Sequence, residues 1–206
     1  LHHLEQNATI YYALNGNPWT VHEKAISVKS NSEFFAYAEV NGNRSKEVHH
    51  AIVKIDNDWD VKLTYPYSPQ YEASGPATLV DGLKGGDEYR TGDWQGYYAT
   101  PFEATIDLGK STTITGMTLG CVQDIRPWIW LPENVEFYTS SDGVDFELSE
   151  RVAHDVMEDD YEKQVFRFKT ESMIENVRFV RVKANPRGLI PEWHLGAGFD
   201  RWTFVD

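Results

Sequence analysis

Two stretches of the chain carry residue types that could do chemistry. Asp87 and Glu88 are adjacent acids in LVDGLKGGDEYRTGD, residues 79–93, and Glu192, Trp193 and His194 stand consecutively in LIPEWHLGAGFDRW, residues 189–202. An acid pair serves a hydrolase when a closed pocket keeps one carboxyl protonated while the other stays ionised. Around Asp87 and Glu88 there are glycines and basic residues and no apolar strand leading in, so two solvated carboxylates are expected. A carboxylate, an indole and an imidazole in a row offer instead a flat apolar face with donors and acceptors beside it. His194 has no second histidine at metal spacing, so a zinc site is not expected.

Two further loops repeat the aromatic-plus-polar composition. DWQGYY at 93–98 brings Trp94, Gln95, Tyr97 and Tyr98, and DIRPWIWLP at 124–132 brings Arg126, Trp128 and Trp130. Sugars present hydroxyls at their edges and C–H groups on their faces, so a site for them pairs an aromatic platform with a few fixed polar groups. Trp94, Gln95, Tyr97, Arg126, Trp128, Glu192, Trp193 and His194 are therefore the candidate carbohydrate contacts. Each has a plainer reading beside this one. Trp94 and Trp193 could be buried, Trp130 between Ile129 and Leu131 reads as core, as does Trp202, and Arg126 and Glu192 could pair with one another. His194 could be a hydrogen-bonded structural residue, with Gly196 and Gly198 letting the backbone turn tightly around the indole. Nothing has the pattern of an activated nucleophile: Ser140 and Ser141 have no nearby histidine, and Cys121 in TLGCVQDI lacks basic neighbours and reads as a buried, inert thiol. The Gly196-Ala197-Gly198 run is too short to cradle a phosphate.

The totals limit the partners. A formal charge of −13 repels polyanions, which argues against nucleic acid and against an anionic bilayer; a neutral ligand is easier to reconcile. Aromatic residues make up 14% of the chain, with 7 Trp and 11 Tyr, more than a small β core requires. A single cysteine allows no intrachain disulfide and leaves the redox compartment open. No run approaches the ~20 apolar residues of a membrane helix, so no membrane insertion is expected, and no signal-peptide pattern opens the chain. The opening LHHLEQ reads as a tag remnant or the cut end of a longer protein, and His2 and His3 carry no functional weight.

The elements that must position these loops are short strands. Runs at 9–13, 25–29, 34–40 and 48–55, with hairpin signals at Asn15-Gly16 and Asn41-Gly42, describe a small antiparallel module over residues 1–58. After the polar break Asp56-Asn57-Asp58, an irregular proline-bearing connection leads to strands expected at 103–108, 113–119, 134–140, 164–169, 177–184 and 202–205. A second domain over 59–206 with many short strands, glycine-marked turns and little helix is expected to be an antiparallel β-sandwich or jelly roll. In such a fold, loops at the sandwich ends carry function.

The second domain resembles the discoidin-like, or coagulation factor type C, galactose-binding-like modules. The matching pieces are TLVDGLKG at 78–85, EATIDLGKSTTITGMTL at 103–119, PENVEFYTSSDGVDF at 132–146, and VRFVRVKA followed by WTFVD. More narrowly, TGDWQGYYATPFEATIDLG, DIRPWIWLPENVEFYTSSDG and PEWHLGAGFDRWTFVD look like the C-terminal module of bacterial family-twenty β-N-acetylhexosaminidases, a resemblance covering about residues 62–206. Residues 9–55 resemble the small immunoglobulin- or fibronectin-like module that precedes it in such enzymes. The resemblance implies a non-catalytic tail of a secreted, periplasmic or cell-surface glycosidase. Its implied partners are an N-acetylhexosamine- or galactose-containing glycan and the catalytic domain of the parent chain. The other reading is a structural module packing on that domain without binding sugar. GGDE at 85–88 also matches the short catalytic signature of family-twenty enzymes, outside the barrel that such chemistry needs. The resemblance further implies a structural Ca²⁺ held by Asp81 of the Asp-Gly turn, with Asp206 near its other side; Asp81 capping its own turn is the alternative.

Overall fold

The computed structural model describes residues 7–52, 54–55 and 57–206, so His2 and His3 lie outside the described residues. Two compact units divide the chain, Leu1–Asp56 and Asn57–Asp206. Among the described residues, no helix is long and apolar enough to cross a membrane.

The first unit is one antiparallel sheet of β1 (Thr9–Leu14), β2 (Thr20–Val21), β3 (Ser32–Val40), β4 (Asn43–Arg44) and β5 (Val48–Ile52), with β3 pairing β1, β4 and β5. Asn41 and Gly42 both take positive φ, 50° and 77°, in the two-residue turn that pairs Val40 with Asn43. Asn and Gly tolerate that conformation at little cost, which is why this dipeptide closes a hairpin. Residues 25–29, expected as a strand, form none. Their alternation serves another purpose: Ile26 and Val28 line a cleft with His22, Phe34 and Ile52, covering the face of the sheet instead of extending its edge.

The second unit is a β-sandwich. One sheet runs in the order β11 (Glu147–Ala153), β10 (Asn134–Ser140), β13 (Ile174–Asn185), β8 (Phe102–Ile114), β6 (Asp60–Leu63); the other runs β12 (Gln164–Lys169), β9 (Thr118–Gln123), β14 (Trp202–Val205), β7 (Gln95–Tyr98). Every pairing in both is antiparallel. Alternation builds the core between them: Phe102, Ala104, Ile106 and Leu108 of β8 and Val135 and Phe137 of β10 meet Leu119 and Cys121 of β9, Phe168 of β12 and Val205 of β14. On β13 the inward set steps from Val177 to Val180, three residues instead of two, because the register shifts between Val177 and Phe179. A bulge of this kind restores the inward parity after the shift. The strands expected at 103–108 and 113–119 are in fact one long β8 and a separate β9, with Gly109 at φ 77° inside the former. β6, β7 and β11 were not anticipated from the sequence.

The four-stranded sheet buries both faces. Its outer face carries Val122 and Phe204 against Tyr89, Trp94 and Ile129, so loops 65–94 and 124–131 form a second apolar layer. Cys121 is 0% exposed in the main core, and burial pushes its thiol well above the ordinary range. A thiol reagent is therefore expected to label the folded chain roughly a thousand-fold or more slowly than the denatured chain, the scale of the folding equilibrium. Comparable rates in a timed maleimide assay would place Cys121 at the surface.

Candidate functional site

The acid pair is not arranged as a catalytic pair. Lys163 Nζ donates to Glu88 Oε2 at 3.0 Å and holds that carboxyl below its usual range, the opposite of what a general acid needs. The glycines beside it have a packing role. A Cβ on Gly85 would stand 2.1 Å from the Trp94 ring, and Trp94 Nε1 donates to the Gly86 carbonyl at 3.0 Å, so the loop backbone lies directly on the indole. Ser140, which has no histidine near it in sequence, accepts the Asp142 and Gly143 amides at 3.2 and 2.9 Å and closes its turn.

Three expected sugar contacts belong to the interior. Trp94, Gln95 and Tyr97 are 1%, 0% and 1% exposed. Gln95 Nε2 donates to the Gly75 carbonyl at 2.5 Å and its Oε1 accepts from the Tyr97 hydroxyl at 3.0 Å, while the Tyr97 ring meets Phe102 edge-on at 5.3 Å. The short β7 explains this: Trp94, Gln95, Gly96 and Tyr97 are enclosed by the two apolar layers that sandwich this sheet, and of the rings of DWQGYY only that of Tyr98 reaches the surface, tilted against Trp202 at 4.9 Å.

The metal pair is also split. Asp206 does not present a free carboxylate, because Arg167 Nη1 and Nη2 reach its two oxygens at 2.8 and 3.2 Å and the Gly85 amide donates at 2.5 Å. A guanidinium in that place repels a second cation. Asp81 caps its own turn, the alternative that the sequence offered. Its Oδ1 accepts the Leu83 amide at 2.8 Å, and burial, with Asp206 and Asp93 adding negative charge, holds its carboxyl above the usual range. Among the described residues, no group of three or more His, Cys, Asp or Glu side chains is placed to hold a metal ion.

The remaining candidates meet at one edge of the sandwich. A cleft of about 640 Å³ is lined by Met157, Glu158, Asp159, Tyr161 and Trp193. Trp193 and Tyr161 are 48% and 42% exposed, and their ring centroids are 6.4 Å apart at 61°. Arg126 does not pair with Glu192: its Nη1 donates to the Tyr161 carbonyl at 2.6 Å and its guanidinium stands 5.3 Å from the Tyr161 ring centre. Glu192 is exposed beside Trp193.

Below the cleft the frame is rigid. His194 is buried; its Nδ1 accepts the Gly196 amide at 3.0 Å and its ring meets Trp130 edge-on at 5.2 Å, which makes it the fastening of the Trp193 loop. Trp130 is core, with Nε1 donating to the Glu158 carbonyl at 2.9 Å. Arg201, its side chain 5% exposed, pairs with Glu158 Oε1 at 2.6 Å, donates to the Leu189 carbonyl at 3.0 Å and covers Trp130 at 4.8 Å. One buried guanidinium thus ties both walls of the cleft to its floor. Trp128 braces the same loop: its ring stacks on Phe199 at 5.2 Å and 14°, and a Cβ on Gly196 would stand 2.5 Å from its Nε1. Trp128 holds φ at 73°, a conformation costly for a bulky residue and kept here by the packing around it.

Tyr161, Met157, Glu158 and Asp159 were missed by sequence reasoning. Their stretch, VMEDDYE at 156–162, follows β11, whose sequence ELSERVA lacks clean alternation, so the loop had no recognised strand before it. A tyrosine and a methionine set among four acids between two strands was the available signal.

No protein-family model matches the chain, and no curated protein matches it. Solved structures similar to it include CpGH89CBM32-6 of Clostridium perfringens, at 15% identity over 73% of this chain and 90% of that one, TM-score 0.40. The family 32 carbohydrate-binding module of NanJ from C. perfringens, solved with galactose, is 13% identical over 72% of this chain and 93% of that one, TM-score 0.40. The C-terminal domain of a chitobiase from Bacteroides fragilis is 15% identical over 71% of this chain and 93% of that one, TM-score 0.37.

Proposed function

We propose that the chain is a non-catalytic carbohydrate-binding accessory region of a secreted or surface β-N-acetylhexosaminidase, holding its parent enzyme on N-acetylhexosamine- or galactose-containing glycans. The observation that carries this reading is the half-exposed Trp193 ring beside Tyr161 over an open cleft, on a loop fixed by His194, Trp130 and Arg201. An indole held in place supplies the platform for a sugar face, and Glu158, Asp159 and Glu192 supply acceptors for hydroxyls. The parent enzyme and its location rest on the resemblance of residues 62–206. A single sugar contact of this kind is weak, about −4 kcal/mol at millimolar affinity. Its use is tethering, which raises the local substrate concentration. A glycan array probed with the chain is expected to light up hexosamine- or galactose-bearing glycans; a blank array at high protein concentration would contradict the reading.

One observation favours a second reading, a module that packs on the catalytic domain. Leu189, Leu195 and Phe199 of the same loop are 58%, 104% and 54% exposed, an apolar set suited to a protein surface. The blank array would move the assignment there.

Calcium belongs to the proposal as a structural ion at the Asp81 turn, taking that carboxylate and backbone carbonyls; Asp206 has no part in it. Added Ca²⁺ is expected to raise Tm, by about 2–4 °C for each kcal/mol of linked binding free energy. Asp81→Asn is expected to abolish the rise, and a wild-type melt unchanged between chelator and excess Ca²⁺ would remove the ion from the account.

A further inference from the structure

We infer that the Trp193 cleft prefers hexosamine units that carry a free, protonated amine over their N-acetylated or neutral counterparts. This rests on the sugar-binding reading and extends its ligands. Glu158 uses Oε1 on Arg201, and its Oε2 has no hydrogen-bond or ion-pair partner among the described residues. Asp159, exposed on the same wall, has none there either. The segment that forms this wall, HDVMEDDYE at 154–162, holds five acids and no lysine or arginine. Four cations among the described residues stand near it: Arg201 is buried under Glu158, Arg126 lies on Tyr161, Lys163 pairs with Glu88 and Asp124 at 3.0 and 3.5 Å, and Arg187 bonds His154 Nε2 at 3.1 Å and lines a separate pocket on the far side of Glu158, so Asp159 is the carboxylate that none of them approaches.

Two open carboxylates and two aromatic rings around one space recognise a cation attached to an apolar face. The ammonium takes the carboxylates, and the C–H face of the ring lies on the indole, where the π face adds attraction for the charge. An acetamido group in the same position brings no charge and a single neutral N–H donor in place of three charged ones, so the carboxylates gain a weaker hydrogen bond and no ion pair. The net charge of −13 draws cations to the chain at long range without selecting among them, so the selectivity must come from this cleft.

The test is calorimetric titration of the chain with a β-linked glucosamine tetramer and with its fully N-acetylated counterpart, at mildly acidic pH where the amines are protonated and the carboxylates ionised. The amine form is expected to bind roughly ten-fold more tightly or better, the effect of one favourable ion pair near a protein surface. Asp159→Asn, an exposed change that leaves folding intact, is expected to remove most of that preference, and Trp193→Ala to weaken both ligands. Equal or tighter binding of the acetylated tetramer overturns the inference and leaves the sugar-binding reading in place. Binding of neither tetramer or of galactose overturns that reading too. A preference that survives Asp159→Asn and is matched by a lysine tetramer assigns it to net charge and overturns the inference alone.

Discussion

Arg167→Ala is expected to destabilise the second unit by about 3–5 kcal/mol, the largest loss foreseen for any single side chain outside the apolar core. The Asp206 side chain is 2% exposed and its partner Arg167 22%, so removing the guanidinium leaves a carboxylate stranded with one amide donor, that of Gly85. The geometry is two-pronged, and Arg167 Nη2 also reaches the Gly85 carbonyl at 3.4 Å, so the same guanidinium ties loop 81–86 to the last strand. Room for the pair comes from β9: Gly120 pairs with Arg167 in register, and a Cβ there would stand 1.8 Å from Asp206 Oδ1. Much of the loss is the cost of burying an unanswered charge, not the worth of the pair itself. Asp206→Asn in the Arg167→Ala background is therefore expected to restore part of the stability, a coupling that a double-mutant cycle by chemical denaturation measures directly. A loss under about 1 kcal/mol in Arg167→Ala would mean that the pair behaves as a solvated surface pair.

This pair shows why part of the molecule could not be read in sequence. The all-β class, the sandwich and most of its strands follow from alternation and turn residues, as along Phe102–Leu108 of β8, where side-chain period and burial agree. Arg167 stands at a position of β12 where alternation predicts an outward, solvated arginine, and only the arrival of Asp206, 39 positions away, makes it the partner of a buried carboxylate. Trp94 and Trp193 make the same point from the other side. Both are tryptophans in glycine-bearing loops, and neither local sequence says which is covered. The outer face of the four-stranded sheet covers Trp94, whereas His194 and Arg201 fasten the loop of Trp193 and leave its ring open. Burial of a loop aromatic is decided by what crosses over it, which is long-range information. The acids of 154–162 were legible as charge, but their position opposite Trp193 required the fold.

Trp193→Ala carries the second large effect. With the ring half exposed, its removal is expected to change stability by no more than about 0.5 kcal/mol, as for other surface substitutions. Binding is different, because the indole is the one large flat apolar surface on that side of the cleft. Truncating such an anchor typically costs about 2 kcal/mol or more, roughly thirty-fold in affinity, which takes a millimolar ligand out of measurable range. His194→Ala is a useful contrast: it removes the fastening of the loop instead of the platform, and is expected to weaken binding together with a measurable loss of stability. The separation of the two effects distinguishes a contact residue from a supporting one.

The most direct measurement is a calorimetric titration of wild type and Trp193→Ala with the strongest array ligand, with thermal melts of both proteins alongside. The account predicts binding by wild type, none detectable in Trp193→Ala, and matching melts. Equal binding by the two proteins, or no binding by either, would contradict the placement of a sugar site at the Trp193 cleft.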